Sequence, residues 1–180
     1  MQLMEHIFNE YKSFLEQLNN ETEGHCIRVA EKCKKYAKVE NVDEELAYKV
    51  GLLHDIGKIF IPSRILRKNA NLTVLERQLI DLHAYFGYKM LKDRGEASNI
   101  FMPTLYHHGF GKRKLETVDD PLNEEEIKLI RLVHSIDILD AMTQKRVYHD
   151  ANSIENVLKI LENDKLCDKA LFENIKIYEL

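Results

Sequence analysis

The sequence is poor in the residues that break regular structure or cross-link chains. Its 180 residues include no tryptophan, three prolines, seven glycines and three cysteines. Few prolines and glycines argue against a fold with many tight turns, because these two residues mark most such turns. The widely spaced Cys26, Cys33 and Cys167 form no CxxC pair, which argues against a disulfide framework and a structural zinc knot. We expect small core residues at Cys26 and Cys33.

The chain also lacks a long apolar run and a strong excess of charge. No run approaches the roughly 18 apolar residues of a membrane span. Thirty acidic and 26 basic residues give a net charge of −4, which argues against binding polymeric nucleic acid but allows a local basic pocket for phosphate. Residues 1–18 have no basic start or cleavage site typical of a signal peptide. We therefore expect a cytoplasmic protein with a single domain over 1–180.

Apolar residues recur at intervals of three and four, which predicts an all-α chain. Capping boxes at Thr73-x-x-Glu76, Asn123-x-x-Glu126 and Asn152-x-x-Glu155 mark three helix starts. Helices are predicted over 3–18, 21–39, Thr73 to Leu91, 97–108 and Asn123 to Met142. A further helix begins at the cap Asp43 and ends at about Gly57, and a short turn follows Pro62. Two short C-terminal helices begin at Asn152. Residues 109–122 are predicted to form a loop, and Gly51 to allow another helix to approach closely.

The most informative feature is a set of histidines and acidic residues on different predicted helices. Each histidine alone is more often a packing or surface residue than a ligand. Adjacent His-Asp and His-His pairs, however, have no common packing reason. Imidazole and carboxylate together are typical ligands of Fe, Mn, Ni or Zn. The candidate metal ligands are Glu21, His25, His54, Asp55, His83, His107, His108 and Asp137, with Glu21 added because it shares a helical face with His25.

These candidates exceed the coordination sphere of one ion, so the sequence predicts two or three. Adjacent ions can clamp a phosphate and lower the pKa of the attacking water. Lys58 and Arg146 are candidate phosphate partners. The basic run Lys112, Arg113 and Lys114 forms either a solvated loop or a substrate contact. We expect Asp140 to support the site by hydrogen bonding. His134, three residues before Asp137, is expected to be an ordinary helix residue, with support of a metal ligand as the alternative.

Four segments, in order, resemble the HD superfamily of metal-dependent phosphohydrolases, and closely its HD-GYP branch. They are LLHDIGKIFIPSRIL, NLTVLERQLIDLHAYFGYKML, YHHG and IDILDAMTQKRVY. The resemblance covers about 20–150, followed by C-terminal helices over 151–180. It implies a helical bundle of about seven to nine helices and hydrolysis of cyclic di-GMP at a di- or trinuclear iron or manganese site.

The same resemblance implies roles for single residues. Asp55 would bridge the metal ions as a catalytic residue, and Glu21 and His25 would match the additional ligands of trinuclear members. Lys58 would contact the phosphate as the second catalytic residue, and Arg146 would contact it too. The remaining implied ligands are His54, His83, His107, His108 and Asp137.

One segment departs from the branch. Gly109 stands where the family has Glu, and the loop HHGFGKRKLETVDDP contains no GYP triplet. That loop helps to form the substrate pocket in the family.

The candidate ligands and the four matching segments together predict a metal-dependent phosphodiesterase on a nucleotide, with a cyclic dinucleotide such as cyclic di-GMP as the first candidate substrate. A mononucleotide or linear-dinucleotide phosphohydrolase and a non-catalytic nucleotide-binding signalling module remain as alternatives.

Overall fold

A computed structural model describes residues 2–110, 121–144 and 152–180 of the chain. In these ranges the chain is helical and contains no strand, which confirms the all-α prediction. Nine of the ten α-helices there are longer than a single turn, within the expected number. The elements are α1 (Gln2–Leu15), α2 (Asn20–Tyr36), α3 (Glu44–Leu53), a 3₁₀ helix (Ile56–Phe60), α4 (Ser63–Leu66), α5 (Val74–Asp81), α6 (His83–Asp93), α7 (Ser98–Tyr106), α8 (Glu124–Thr143), α9 (Ile154–Glu162) and α10 (Lys169–Glu179).

Most of the predicted helix starts are confirmed. Asp43 caps α3, and full capping boxes at Thr73 and Asn123 open α5 and α8. The box predicted at Asn152 is wrong, because Ser153 caps α9 by accepting a hydrogen bond from the backbone N–H of Asn156. The cap therefore lies one residue later than predicted.

The helix predicted from Thr73 to Leu91 is broken in the middle. α5 ends at Asp81, α6 begins at His83, and Leu82 forms the turn between them. The imidazole Nδ1 of His83 lies 2.6 Å from the carbonyl oxygen of Ile80. This side-chain bond occupies a carbonyl that a continuous helix would use in its own ladder. The break fixes the His83 ring at the first residue of α6.

Two apolar clusters fill the described part of the molecule, and both include residues of α2 and α3. One joins them to α8, α9 and α10, with Leu129, Leu132 and Ile136 fully buried. The other joins them to α1, α6 and α7, with Leu52 and Leu91 at its centre. α2 and α3 thus lie between the two clusters and hold the two groups of helices in place.

Glycines permit two close approaches. A Cβ at Gly51 would lie 2.8 Å from the Cα of Ala30, so the prediction that Gly51 lets another helix approach is confirmed, with α2 as that helix. A Cβ at Gly57 would lie 1.9 Å from the carbonyl oxygen of His83, and Gly87 meets Gly57 from α6. Gly57 therefore allows α6 to contact the 3₁₀ helix. No described helix is long and apolar enough to span a membrane.

Candidate metal centre

Seven predicted ligands come together where the ends of several helices meet. α2 carries His25 and α8 carries Asp137. α3 ends at Leu53, so the adjacent His54 and Asp55 leave the helix and turn to one cluster, as predicted. The other three are His83 at the start of α6, and His107 and His108 directly after α7. Five of the seven are buried, and the side chains of His108 and Asp137 are partly exposed.

Three of the imidazoles are oriented in the same way. In each, Nδ1 donates a hydrogen bond to the backbone carbonyl three residues earlier: His54 to Gly51 at 2.7 Å, His83 to Ile80 at 2.6 Å and His107 to Thr104 at 2.8 Å. A proton on Nδ1 leaves Nε2 as the lone-pair nitrogen, the tautomer suited to a metal ligand. The Nε2 atoms of these rings lie near other candidate ligands. That of His83 is 3.3 Å from Nε2 of both His107 and His108, and that of His54 is 3.5 Å from Oδ2 of Asp55.

The polar atoms of the cluster fit a metal site better than they fit one another. Nε2 of His54 is buried and has no hydrogen-bond partner among the residues that the structure describes, which is costly unless something binds there. The Nε2 atom of His83 lies 3.3 Å from the Nε2 atoms of His107 and His108. Such close imidazole nitrogens likewise indicate that they share a bound cation. Among the described residues, three groups have ligand atoms within 4.8 Å of one another: His83 with His107 and His108, His25 with His54 and Asp55, and His54 with His107 and Asp137.

Asp55 belongs to the second of these groups and also approaches the first. Its Oδ1 is 3.0 Å from Nε2 of His83 and 3.9 Å from Nε2 of His107. Its Oδ2 is 3.5 Å from Nε2 of His54 and contacts the ammonium group of Lys58. One carboxylate oxygen thus faces each histidine group, the arrangement that a bridging ligand needs.

The electrostatics favour neutral imidazoles beside ionised carboxylates. Burial, reinforced by neighbouring imidazoles, lowers the pKa of His54 and His107, and burial lowers that of His108 to about 4. Burial would raise the pKa of Asp55, but Lys58 and His54 outweigh it and hold the pKa well below its usual value. Metal ligands must be deprotonated, so these groups are ready to bind cations at neutral pH.

His25 is set apart by its partners. Its Nε2 lies 3.0 Å from Asp137, and its Nδ1 lies 2.8 Å from Oδ2 of Asp140, which also accepts from Arg28 at 2.9 Å. Burial would lower the pKa of His25, but the hydrogen bonds to Asp137 and Asp140 raise it to about 9. His25 would therefore lose a proton when it binds a metal ion. Asp140 has the hydrogen-bonding role that the sequence predicted.

Glu21 and Lys58 lie at the opening of the cluster. Together with His25, they line a cavity of about 210 Å³ with Asn19, Thr22, Leu66 and Ile80. Glu21 is exposed at the first turn of α2, one turn before His25. The other predicted substrate contacts, Lys112, Arg113, Lys114 and Arg146, lie outside the described residues.

One supporting residue is the one for which the sequence favoured the wrong alternative. His134 is buried in α8 and its Nδ1 lies 2.6 Å from the carbonyl oxygen of His107, so the prediction of an ordinary helix residue is wrong. Its Nε2 lies 3.1 Å from Oδ2 of Asp164, between α9 and α10. The only available signal was its position one turn before Asp137 on the same helix.

Comparison with known sequences identifies related proteins. The family model described as "HD domain" matches residues 22–142. A 3'3'-cGAMP-specific phosphodiesterase of Vibrio cholerae is 30% identical over 149 residues, which cover 79% of this chain and 32% of that protein. A cyclic di-GMP phosphodiesterase of Thermotoga maritima is 29% identical over 181 residues, covering 88% of this chain and 47% of that protein. The chain therefore spans about a third to a half of the length of these relatives.

Solved structures show the same fold. The HD domain of the Listeria monocytogenes phosphodiesterase PgpH superimposes with a TM-score of 0.66 at 18% identity, covering 93% of this chain and 99% of that one. The same domain in complex with cyclic-di-AMP has a TM-score of 0.59 at 20% identity, covering 100% and 98%. The helical arrangement around the histidine cluster is thus that of a known bundle.

Proposed function

The chain belongs to the HD domain family, and on that premise we propose that it is a metal-dependent phosphodiesterase that hydrolyses a cyclic dinucleotide such as cyclic di-GMP. The observation that carries this proposal is the position of Asp55 between two histidine groups, with Lys58 beside it at the cavity. A site that binds two or more metal ions beside the ammonium group of a lysine is suited to binding and hydrolysing a phosphodiester. The named activities of the V. cholerae and T. maritima relatives support the substrate class.

The residues divide into two groups of ligands that share one carboxylate. His83, His107 and His108 would hold one ion, His25 and His54 would hold another, and Asp55 would contribute one oxygen to each. Asp137 lies 3.0 Å from His25 and 3.8 Å from His54, so it would complete the second group. Glu21, which lines the same cavity as His25, would contact a third ion. Mixed imidazole and carboxylate donors suit iron or manganese, the metals that we propose.

When bound, the ions supply Lewis acidity and lower the pKa of the attacking water. The protein supplies the positioning. Backbone carbonyls hold His54, His83 and His107 in one tautomer, which keeps their Nε2 atoms aimed at the centre. Fixed donors need no reorganisation during the reaction.

Lys58 has a separate role at the phosphate. Burial would lower its pKa, but the contact with Asp55 outweighs this and raises it, so the ammonium group stays charged. It borders the cavity in which a phosphodiester would meet the centre. There it can donate to a non-bridging oxygen and stabilise the charge that develops as water attacks phosphorus. The contact with Asp55 holds the ammonium group of Lys58 beside the metal centre.

The test combines metal counting with a substrate panel. Protein purified without oxygen and reconstituted with iron or manganese should contain at least two ions per chain by elemental analysis. The same sample should open cyclic di-GMP or 3'3'-cGAMP to linear products, separated by chromatography. One ion or none per chain, or no hydrolysis of any cyclic dinucleotide by the loaded protein, would overturn the proposal. Hydrolysis of mononucleotides alone would favour the alternative phosphohydrolase.

A further inference from the structure

A second cavity adjoins the one at the metal centre. It has a volume of about 350 Å³ and shares Asn19, Lys58 and Leu66 with the first cavity, so the two meet at the proposed phosphate-contacting lysine. Its other walls come from the turn after α1, the 3₁₀ helix and the region of α4. They are lined by Gln17, Leu18, Ile59, Phe60, Ile61, Pro62, Ser63 and Arg67. The second cavity therefore lies beside Lys58 and continues the space at the metal centre.

The sizes of the two cavities bear on the substrate. Pockets for small ligands usually have about 300–1,000 Å³. The cavity at the metal centre, at about 210 Å³, is too small to hold two nucleotides. The adjoining cavity supplies the missing space, on the far side of the residue that would hold the phosphate. A dinucleotide could place its scissile phosphate at Lys58 and its second nucleotide beyond it.

Phe60 gives the second cavity an aromatic wall. The residue is 53% exposed although it is large and apolar, and it lies two residues after Lys58. Single exposed apolar residues are common, but this ring lines a cavity that also contains polar and basic groups. One side of the ring meets Phe86 edge to face at a centroid distance of 5.8 Å. The contact fixes the ring before a ligand arrives, which lowers the entropic cost of binding.

The polar lining suits the edge of a base. Gln17 donates from its amide nitrogen to the carbonyl of Ser13 at 2.8 Å, which directs its amide oxygen away from that contact. Oδ1 of Asn19 caps α2 by accepting from the N–H of Thr22 at 2.9 Å, so the orientation of this amide is fixed too. Ser63 adds a hydroxyl group and Arg67 a positive charge to the same cavity.

We propose that this cavity binds the second nucleotide of the substrate, with its base stacked on Phe60, and so selects dinucleotides over smaller phosphoesters. The inference deepens the proposed function and rests on it. Stacking of a base on an aromatic side chain contributes about 1–3 kcal/mol, or roughly 5- to 150-fold in affinity. The gain applies only to substrates that carry a second base.

The experiment compares two substrates of the manganese-loaded protein. Cyclic di-GMP has two bases, whereas methyl p-nitrophenyl phosphate is a phosphodiester whose single ring is the leaving group and whose other substituent is a methyl group that cannot stack. The measured quantity is the ratio of kcat/KM for cyclic di-GMP to that for methyl p-nitrophenyl phosphate. Phe60→Leu should lower this ratio at least fivefold, mainly through KM, and Phe60→Tyr should restore it. Tyr178→Leu is the matched control, since Tyr178 is an aromatic residue on α10 that is also more than half exposed, and it should leave the ratio unchanged.

A second variant keeps the test valid if Phe60→Leu folds poorly. Ser63→Glu places a carboxylate in the cavity at the exposed first residue of α4, and should lower the same ratio by repelling the dinucleotide. An unchanged ratio in both variants, or an equal fall in Tyr178→Leu, would overturn the inference. Hydrolysis of neither substrate by the unmodified protein would instead refute the proposed function.

Discussion

The Nδ1 atom of His134 lies 2.6 Å from the carbonyl oxygen of His107. His134 also contacts Asp164 at 3.1 Å, and Asp164 in turn accepts from the backbone N–H of Leu166 at 2.7 Å. A continuous chain of hydrogen bonds therefore connects the turn that carries two candidate ligands to the segment between α9 and α10. That segment lies outside the range matched by the HD domain model, 22–142.

The first prediction follows from this chain of hydrogen bonds. Replacing His134 by leucine removes the donor that holds the carbonyl of His107, although the side-chain volume is similar. Loss of such a supporting bond typically costs about 10–100-fold in metal affinity. We expect at least tenfold weaker metal binding, measured by competition with a chromogenic chelator. His6→Ala, on the exposed face of α1, is the control. Unchanged affinity in His134→Leu would mean that α7 holds the turn without help.

The second prediction separates the metal centre from the phosphate contact. Asp55→Ala removes the carboxylate that faces both histidine groups, so both metal content and hydrolysis should be lost. Lys58→Ala should retain the metal ions but lower kcat by about 10²–10³-fold, the usual cost of one donor to developing charge. Elemental analysis and steady-state kinetics on the same samples decide the matter. Equal loss of metal in the two variants would contradict this division of roles.

The third prediction concerns the close approach between α6 and the 3₁₀ helix. A Cβ at Gly57 would lie 1.9 Å from the carbonyl of His83, and both partners at this contact are backbone. Gly57→Ala should therefore destabilise the fold by about 1–3 kcal/mol or more and displace a metal ligand. Gly24→Ala is the control, because its Cβ would meet only the flexible end of Arg28, at 3.3 Å. Urea unfolding should show a large loss in the free energy of unfolding for Gly57→Ala and little change for Gly24→Ala.

The fourth prediction is a stability optimum near neutral pH for the metal-free protein. The pKa of His25 is raised from 6.5 to about 9, so its stabilising contribution is complete below pH 6.5 and is lost as the pH rises through 9. The pKa of His108 is lowered from 6.5 to about 4, so stability falls as the pH drops below 6.5 and the unfolded chain takes up the proton first. The stability of the metal-free protein should thus decline at pH values above and below neutral.

Thermal melting of chelator-treated protein between pH 5 and 9.5 measures this optimum. His25→Gln should flatten the decline between pH 6.5 and 9 and keep the decline below pH 6.5, because the raised pKa belongs to His25 and the lowered one to His108. A melting temperature that rises steadily to pH 9 in the unmodified protein would contradict the assignment.

Local chemistry allowed much of the helical framework to be predicted from sequence. Capping side chains bond to nearby backbone groups, so Asp43, Thr73 and Asn123 could be recognised as helix starts within a few residues. The break at Leu82 could not be predicted in this way. Its neighbour His83 is fixed both by the carbonyl of Ile80 and by Asp55, which is distant in sequence.

The sequence by itself determined the all-α fold class and the identity of the candidate ligands, because helical periodicity and adjacent His-Asp and His-His pairs are local patterns. Only the tertiary structure decided which atoms meet. It placed one oxygen of Asp55 towards each histidine group, joined His134 to the carbonyl of His107, and put the aromatic ring of Phe60 on the wall of a cavity. The reason is that these relationships depend on side chains from separate helices, and only packing fixes their distances.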